Sequence, residues 1–323
     1  MSTISVSNIE TANGSEPLTL KTGNTLGGDI IVGPSGSIII AANSTVNTYI
    51  ANSTGSFFTG NVNIGALVAN GSIGSAGQVL SSNASIAYWA TLSAVGAVTV
   101  NALTSGTTYT APSGLISVIV IATGGGGGGG GSDSDGAGAA GGSGGGAGGT
   151  AIRSYTAAEL GATATYSIGA GGNGGTNVGG DGTAGGTTTF TPVGGGVALS
   201  ATGGGIGVGN SGTVDNTKTA GGLGGTPTGG QLNVDGGDGL DGITASSGST
   251  AGIPMAYGGT GGASFWGGGG SGSSVAAASA GVAGVAGVAY GSGGGGSATS
   301  DNTTGAVGGG GAAGVIFILE YRS

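Results

Sequence analysis

The chain lacks cysteine and histidine altogether, and it contains few charged residues or prolines. Without cysteine and histidine it has no disulfide, no thiolate nucleophile and neither the commonest metal ligand nor the commonest general base. Only 4 lysines and arginines accompany 13 aspartates and glutamates in 323 residues, which excludes a basic patch for nucleic acid. No catalytic or phosphate-binding motif occurs. We therefore expect a protein that is not an enzyme and needs no cofactor.

Glycine is the abundant residue, with 87 of 323 positions, and 73 of these follow Ala111. A chain with this much glycine resembles a disordered one in composition. Disordered chains, however, are typically charged and poor in apolar residues, whereas this one is 5% charged and 37% hydrophobic. The composition therefore predicts a folded protein with two regions.

The stretch GVAGVAGVAY, Gly281 to Tyr290, repeats glycine, valine and alanine every three residues. A period of three is that of an extended polyproline II-type helix. Helices of this type built from glycine can approach until their backbones touch and hydrogen-bond to one another, since no Cβ intervenes. Clustered glycines with only six prolines exclude collagen. The pattern predicts a domain of packed polyglycine II helices.

Two apolar segments enclose the glycine-rich region: LISVIVIA, Leu115 to Ala122, and GVIFILEY, Gly314 to Tyr321. Both are typical of buried strands. We expect them to pair and to frame the glycine helices. The fold class is mainly β and irregular, with an N-terminal short-strand fibrous segment before the glycine-rich domain.

The composition predicts three parts: a strand-rich segment at 1–60, a connector at 61–97 and the glycine-rich domain at 98–323. In the connector, Tyr88 and Trp89 are expected to pack structurally. The thin N-terminal segment buries little on its own, which favours association of chains into a homotrimer.

Recognition by a chemically uniform glycine lattice has to come from its loops, where aromatic and polar residues are the natural binding anchors. The alternative for Phe265 and Trp266 is that they cap the edge of the lattice. The candidate binding residues are Asp215, Asn216, Lys218, Met255, Tyr257, Phe265, Trp266 and Tyr290.

The stretch GGDGLDGIT, Gly236 to Thr244, matches one copy of a calcium-binding nonapeptide. Calcium binds between successive copies of that repeat, and neighbouring stretches lack the aspartate. We therefore predict no metal site, with Asp238 and Asp241 as weak candidates whose alternative role is turn formation and solubility.

The glycine-rich region resembles glycine-rich bacteriophage tail fibre proteins, including the distal adhesins on long tail fibres of T-even-like phages. The resemblance covers about residues 98–323 and rests on TYTAPSGLISVIVIATGGGGGGGG, YSIGAGGNGG, GGTTTF, LSATGGGIG and GAAGVIFILEY. The tip domain of those adhesins is a sandwich of polyglycine II helices. GSAGQVLSSNASIAYWAT also looks like a connector common in phage fibres.

The resemblance implies a virion protein whose tip loops bind a protein or glycan on the bacterial surface. It also implies that the N-terminal segment joins other virion tail proteins, and the long N-terminal region departs from the dedicated tip adhesins. The absence of a signal peptide at the start of the sequence agrees with assembly in the host cytoplasm. A structural fibre without receptor binding and an ice-binding protein remain alternatives.

Overall fold

The structure is a computed structural model that describes residues 74–76, 78–82, 87–91, 96, 98–134, 138–212, 218–245, 255–276, 280–300 and 304–323. The predicted strand-rich segment at 1–60 and most of the connector lie outside these residues, as do Asp215 and Asn216. In the connector, β1 (Gln78–Ser82) and β2 (Ala87–Thr91) form an antiparallel hairpin that contains Tyr88 and Trp89.

The glycine-rich region is framed at one end by two five-stranded antiparallel sheets. The first sheet has the order β13-β7-β5-β18-β3 and the second β12-β10-β9-β8-β4. Their strands are β3 (Val98–Leu103), β4 (Thr108–Thr110), β5 (Leu115–Thr123), β7 (Thr150–Thr156), β8 (Thr163–Ser167), β9 (Thr188–Pro192), β10 (Leu199–Ala201), β12 (Pro227–Thr228), β13 (Leu232–Val234) and β18 (Val315–Arg322). We call this end of the domain the base.

The prediction that the two apolar segments pair is confirmed, because β18 lies between β5 and β3 and pairs with both. The inward side chains of the two sheets form the hydrophobic core of the base. Phe190 lies at its centre, with its ring 6.0 Å from that of Tyr155 and 6.4 Å from that of Tyr109. A single helical turn, α1 (Ala157–Leu160), follows β7 and buries Leu160 in this core.

Between the base and the opposite end the chain crosses the domain repeatedly in extended segments that are neither strands nor α-helices. We call these segments rods and number them 1 to 12 in chain order. Successive rods alternate in direction, as their hydrogen-bond registers show. The rods are 124–131, 142–149, 169–176, 180–187, 202–210, 220–226, 235–241, 258–263, 268–273, 281–289, 291–297 and 305–314.

Rod 1 shows the geometry most clearly. Its N–H groups donate in turn to three different rods, so that Gly124, Gly127 and Gly130 all bond to rod 2. The next residue in each triplet bonds to rod 4 and the third to rod 12, with N···O distances of 2.8 to 3.0 Å. A donor direction that returns every third residue defines a threefold extended helix. The predicted polyglycine II architecture is thus present.

The rods form a hexagonal lattice. Rods 1, 2 and 11 bond to one another in every pairing and make a central triangle. The other nine rods surround it, and each bonds to the next around a closed ring with the order 3-4-5-6-7-8-9-10-12. The three central rods are buried along their whole length. The hydrophobic core of an ordinary domain is replaced here by backbone.

Glycine is required at the centre because the rods leave no room for a side chain. A Cβ on Gly127, Gly128 or Gly129 would overlap the carbonyl oxygen of a neighbouring rod. The glycine Cα–H groups therefore lie against those oxygens, which adds weak Cα–H···O contacts to the N–H···O bonds. Serine at Ser143 adds bonds of its own, because its hydroxyl accepts from Val208 N and donates to Ala220 O, both at 2.7 Å.

The opposite end, which we call the loop end, carries its own strands. A four-stranded sheet has the order β11-β14-β15-β16 and packs on the pair β6 and β17. These strands are β6 (Ala139–Gly141), β11 (Lys218–Thr219), β14 (Gly242–Ala245), β15 (Met255–Tyr257), β16 (Ser274–Val275) and β17 (Ala298–Ser300). The architecture is mainly β and irregular, as predicted, and the described residues include no helix suited to crossing a membrane.

Among the residues that the structure describes, Glu320 is the carboxylate buried in the core of the base. Its side chain is buried and accepts hydrogen bonds from Tyr109 Oη at 2.7 Å, Asn101 Nδ2 at 2.5 Å and Arg322. Burial alone would raise the pKa of this carboxyl, but its partners, Arg322 and Tyr109 foremost, bring the pKa of Glu320 below its usual value. Burial and the hydrogen bond to Glu320 raise the pKa of Tyr109.

Replacing one central glycine tests the lattice. Gly128→Ala places a methyl group against the backbone of rod 3, which cannot move without breaking its own bonds. We expect a loss of about 3 kcal/mol or more in the free energy of unfolding. Thermal unfolding followed by calorimetry measures it. Gly268→Ala, where a Cβ would meet nothing within 4 Å, is the control and changes stability by less than about 0.5 kcal/mol. Equal effects would contradict the lattice.

The Glu320 cluster predicts an acid-sensitive contribution to stability. Because the folded-state pKa of Glu320 is lowered, its contribution is complete above the unfolded pKa of about 4.3 and is lost as pH falls through the folded pKa. Glu320→Gln should lower the free energy of unfolding by about 2 kcal/mol at neutral pH. The difference between the two proteins should shrink in acid, as denaturant titrations at several pH values can show. A difference independent of pH would contradict this assignment.

Candidate functional site

The outward face of the four-stranded sheet at the loop end carries three of the predicted binding residues. Its inward face buries Thr244, Ala256 and Val275 against β6 and β17. Since side chains alternate along a strand, the intervening residues face outward. The strand registers align Lys218, Ile243, Tyr257 and Ser274 in one row across all four strands, with Met255 beside Tyr257. We call these five residues the loop-end face.

The loop-end face exposes apolar, aromatic and cationic side chains to solvent. Ile243 is 52% exposed and Tyr257 45% exposed, and Tyr257 Oη lies 3.8 Å from the sulfur of Met255. Lys218 Nζ lies 2.5 Å from Asp241 Oδ2, and its side chain is 68% exposed. The hydrogen bond from Lys218, followed by that from Gly221 N, lowers the pKa of Asp241. Lys218 is thereby held at the edge of the apolar row.

Three residues that the sequence interpretation missed form an exposed apolar group on the outside of the lattice. Ile206, Leu223 and Leu240 occupy successive ring rods and are all exposed. Bonds from Gly205 N to Leu223 O and from Gly239 N to Gly222 O place them at one level. The sequence could have indicated them, because each is a large apolar residue within a glycine run. The centre of the lattice has no room for such a side chain, so each has to face outward.

Phe265, Trp266 and Tyr290 lie at the base, at the other end of the rods. The Trp266 ring is 5.1 Å from that of Phe265 and 4.7 Å from that of Phe317 in β18. Tyr290 is 6.1 Å from Phe317, and Trp266 Nε1 donates to Thr123 Oγ1 at 2.9 Å. At a rise of about 3.1 Å per residue, rods of about eight residues separate the two ends by about 25 Å. The structure therefore does not bring these aromatics together with Tyr257.

Asp238 and Asp241 serve the backbone of the neighbouring rod. Asp238 Oδ1 accepts from Gly224 N at 2.7 Å and Asp241 Oδ1 from Gly221 N at 3.0 Å. The two aspartates are three residues apart, and so are the two glycines whose amides they accept. These amides point to the outside of the ring, where no neighbouring rod offers a carbonyl. The described residues contain no cluster of three or more side chains that could hold a metal ion.

The fold is that of a mainly β protein with a lattice of glycine rods at its centre. The glycine-rich domain family matches residues 99–321, which is more than two thirds of the sequence. The chain belongs to this family. Among curated proteins, no significant match to the sequence is found.

Calcium should leave the stability of this protein unchanged, because the carboxylates of Asp238 and Asp241 are occupied by backbone amides. We expect the same midpoint of thermal unfolding in millimolar calcium and in a chelator. Asp238→Ala, which removes the acceptor for Gly224 N, should cost about 1 kcal/mol in either solution. A calcium-dependent rise in the midpoint that Asp238→Ala abolishes would contradict this prediction.

Proposed function

We propose that this protein is a bacteriophage tail fibre protein that attaches the virion to a bacterial surface, by binding a protein or glycan receptor at the loop end of the lattice. The proposal includes a homotrimer, a location in the virion and a link to other tail proteins through the N-terminal segment. It assigns binding rather than catalysis to the chain. The observation that carries it is the loop-end face, an exposed apolar and aromatic row on a rigid support.

Rigidity supports a binding role because a fixed surface loses little conformational entropy when it engages a partner. The loop-end face is attached to ring rods, each of which bonds to its two neighbours in the ring and to the central triangle. Tyr257 and Met255 of this face are large side chains that are exposed to solvent, on a sheet whose other side is buried against β6 and β17. Exposed aromatic groups of this kind are typical binding anchors.

The loop end is favoured over the base because the base aromatics have a structural use. Trp266 donates its indole N–H to Thr123 and packs on Phe317, which ties the turn between rods 8 and 9 to β5 and β18. Tyr257 has no comparable packing within the described residues, where its side chain contacts Met255 at the surface.

Adsorption competition tests the proposal. Purified protein should bind host cells and block infection, and Tyr257→Ala combined with Lys218→Ala should reduce the affinity at least about tenfold, as expected for loss of an anchor worth about 1.4 kcal/mol. Tyr290→Ala, an aromatic truncation of similar exposure at the base, is the matched control.

Three outcomes would overturn the proposal in different ways. Loss of binding in Tyr290→Ala but not in the loop-end variant would move the site to the base. A protein that never binds cells would favour the purely structural fibre. Thermal hysteresis in solution would instead identify ice binding.

A further inference from the structure

The outer face of the first base sheet is apolar across all five strands. The strand registers align Ala102, Phe317, Ile121, Ile152 and Leu232 in one row that crosses β3, β18, β5, β7 and β13. The next row on the same face contains Val100, Leu319, Ile119 and Ser154, and the third contains Val98, Tyr321, Ser117 and Thr156. We call the residues of these three rows the outer base face.

The outer base face carries no charged side chain. Glu320 is on the opposite side of β18, where it bonds to Tyr109. Arg153 pairs with the inward Val120, donates to Gly229 O and lies over the ring of Tyr155. The charged side chains of this sheet therefore face the second sheet or lie at the end of a strand, and its apolar side chains face outward.

Strand β5 from Val118 to Ala122, and strand β18 from Val315 to Leu319, are apolar on both faces, a pattern typical of strands that are covered on both sides. The inward residues of these strands are covered by the second sheet of the base. On the outward side, Val98, Val100 and Leu232 are each more than half exposed. The sequence pattern therefore fits a sheet that is covered on both faces, whereas the second sheet of the base covers only its inward face.

The aromatic cluster at the base extends this surface toward the lattice. Phe265 and Tyr290 are 46% and 40% exposed. Tyr290 lies beside Phe317 of the first row, and Phe265 lies beside Trp266, which packs on Phe317. Five strands spaced about 4.8 Å apart and about six residues long give a face of about 500 Å², before the cluster is added. This area lies within the range of about 300 to 600 Å² for the largest apolar patch on a typical monomer, which is often a functional surface. With the aromatic cluster added, it approaches the 800 Å² or so per partner of a standard interface.

We propose that the outer base face binds the same face of a second copy of this chain. This twofold contact joins chains of two separate homotrimers, because the three chains of one trimer cannot all be paired in this way. Two sheets pack face to face about 10 Å apart with interdigitating side chains, so that two copies would complete a sandwich with this face inside. A second copy also matches its chemistry, because the first two rows bring no charge into the contact. The nearest carboxylate, that of Glu159, accepts hydrogen bonds from Thr156 at the end of the third row. A small ligand would need a concave site, and an anionic membrane would repel a chain of net charge −9.

The absence of cysteine from the sequence allows a direct test in the full chain. Val100→Cys places a single thiol on the outer base face, and Val288→Cys places one on rod 10, where the valine is 91% exposed. If nine tenths of the copies are associated by this face, maleimide should label Val100→Cys about tenfold more slowly than a dissociated chain. A bifunctional maleimide should also join Val100→Cys chains into covalent dimers, which denaturing gels detect.

A charge placed on the same face supplies the control. Adding Val98→Lys to Val100→Cys should restore fast labelling and remove the cross-link, while the unfolding midpoint shows that the chain is still folded. Labelling of Val100→Cys as fast as that of Val288→Cys, without a cross-link, would overturn the proposal. The result is independent of host attachment, since the loop-end face takes no part in it.

Discussion

The structure depends on one interaction, the hydrogen bond between backbone groups of rods that touch because no Cβ separates them. Each central rod bonds to six others, so the N–H and C=O groups that an ordinary core hides within sheets or helices here form the core itself. Buried polar groups are costly unless they are paired, and the threefold repeat pairs them in every direction around the rod. Because the sequence contains no cysteine, no disulfide contributes to holding the domain together.

In this architecture the residues that support the domain are different from those that present side chains to a partner. The centre of the lattice admits almost nothing but glycine, alanine and serine, and it offers a partner no distinctive chemistry. Distinctive side chains are confined to the two ends and to the outward positions of the ring rods. The lattice holds two such groups apart. Lys218, Tyr257 and Met255 lie on the sheet at one end, and at the other end Trp266 and Tyr290 lie in turns that pack on Phe317 of the first base sheet.

The features with a clear period or a clear boundary could be predicted from the sequence. The triplets at 281–289 predicted a threefold rod, and the apolar run at Leu115 predicted a strand that pairs with the one at Val315. The second base sheet was not predicted, because strands such as TTFTP are short and owe their form to the core around Phe190.

To assign each candidate residue to one end of the lattice, the direction of each rod has to be known. Tyr257 and Phe265 are close in sequence, but one rod lies between them, so they are at opposite ends. Phe265 and Tyr290 are separated by two rods and therefore share an end. Counting glycine stretches as crossings would have given this result. The role of the Asp238 and Asp241 carboxylates as backbone acceptors could not be read in this way, because it depends on which rods are neighbours.

The path of the chain through the lattice has a consequence for biosynthesis. Rods 1 and 2 are made early, but the third central rod is the eleventh, and β18 enters between β5 and β3 only after the last rod. Ribosomes add residues at about 5 to 20 per second, so the first two central rods emerge many seconds before their partners. A truncated product lacks the strand that joins the frame and cannot close the lattice, which makes completion of translation a checkpoint for assembly.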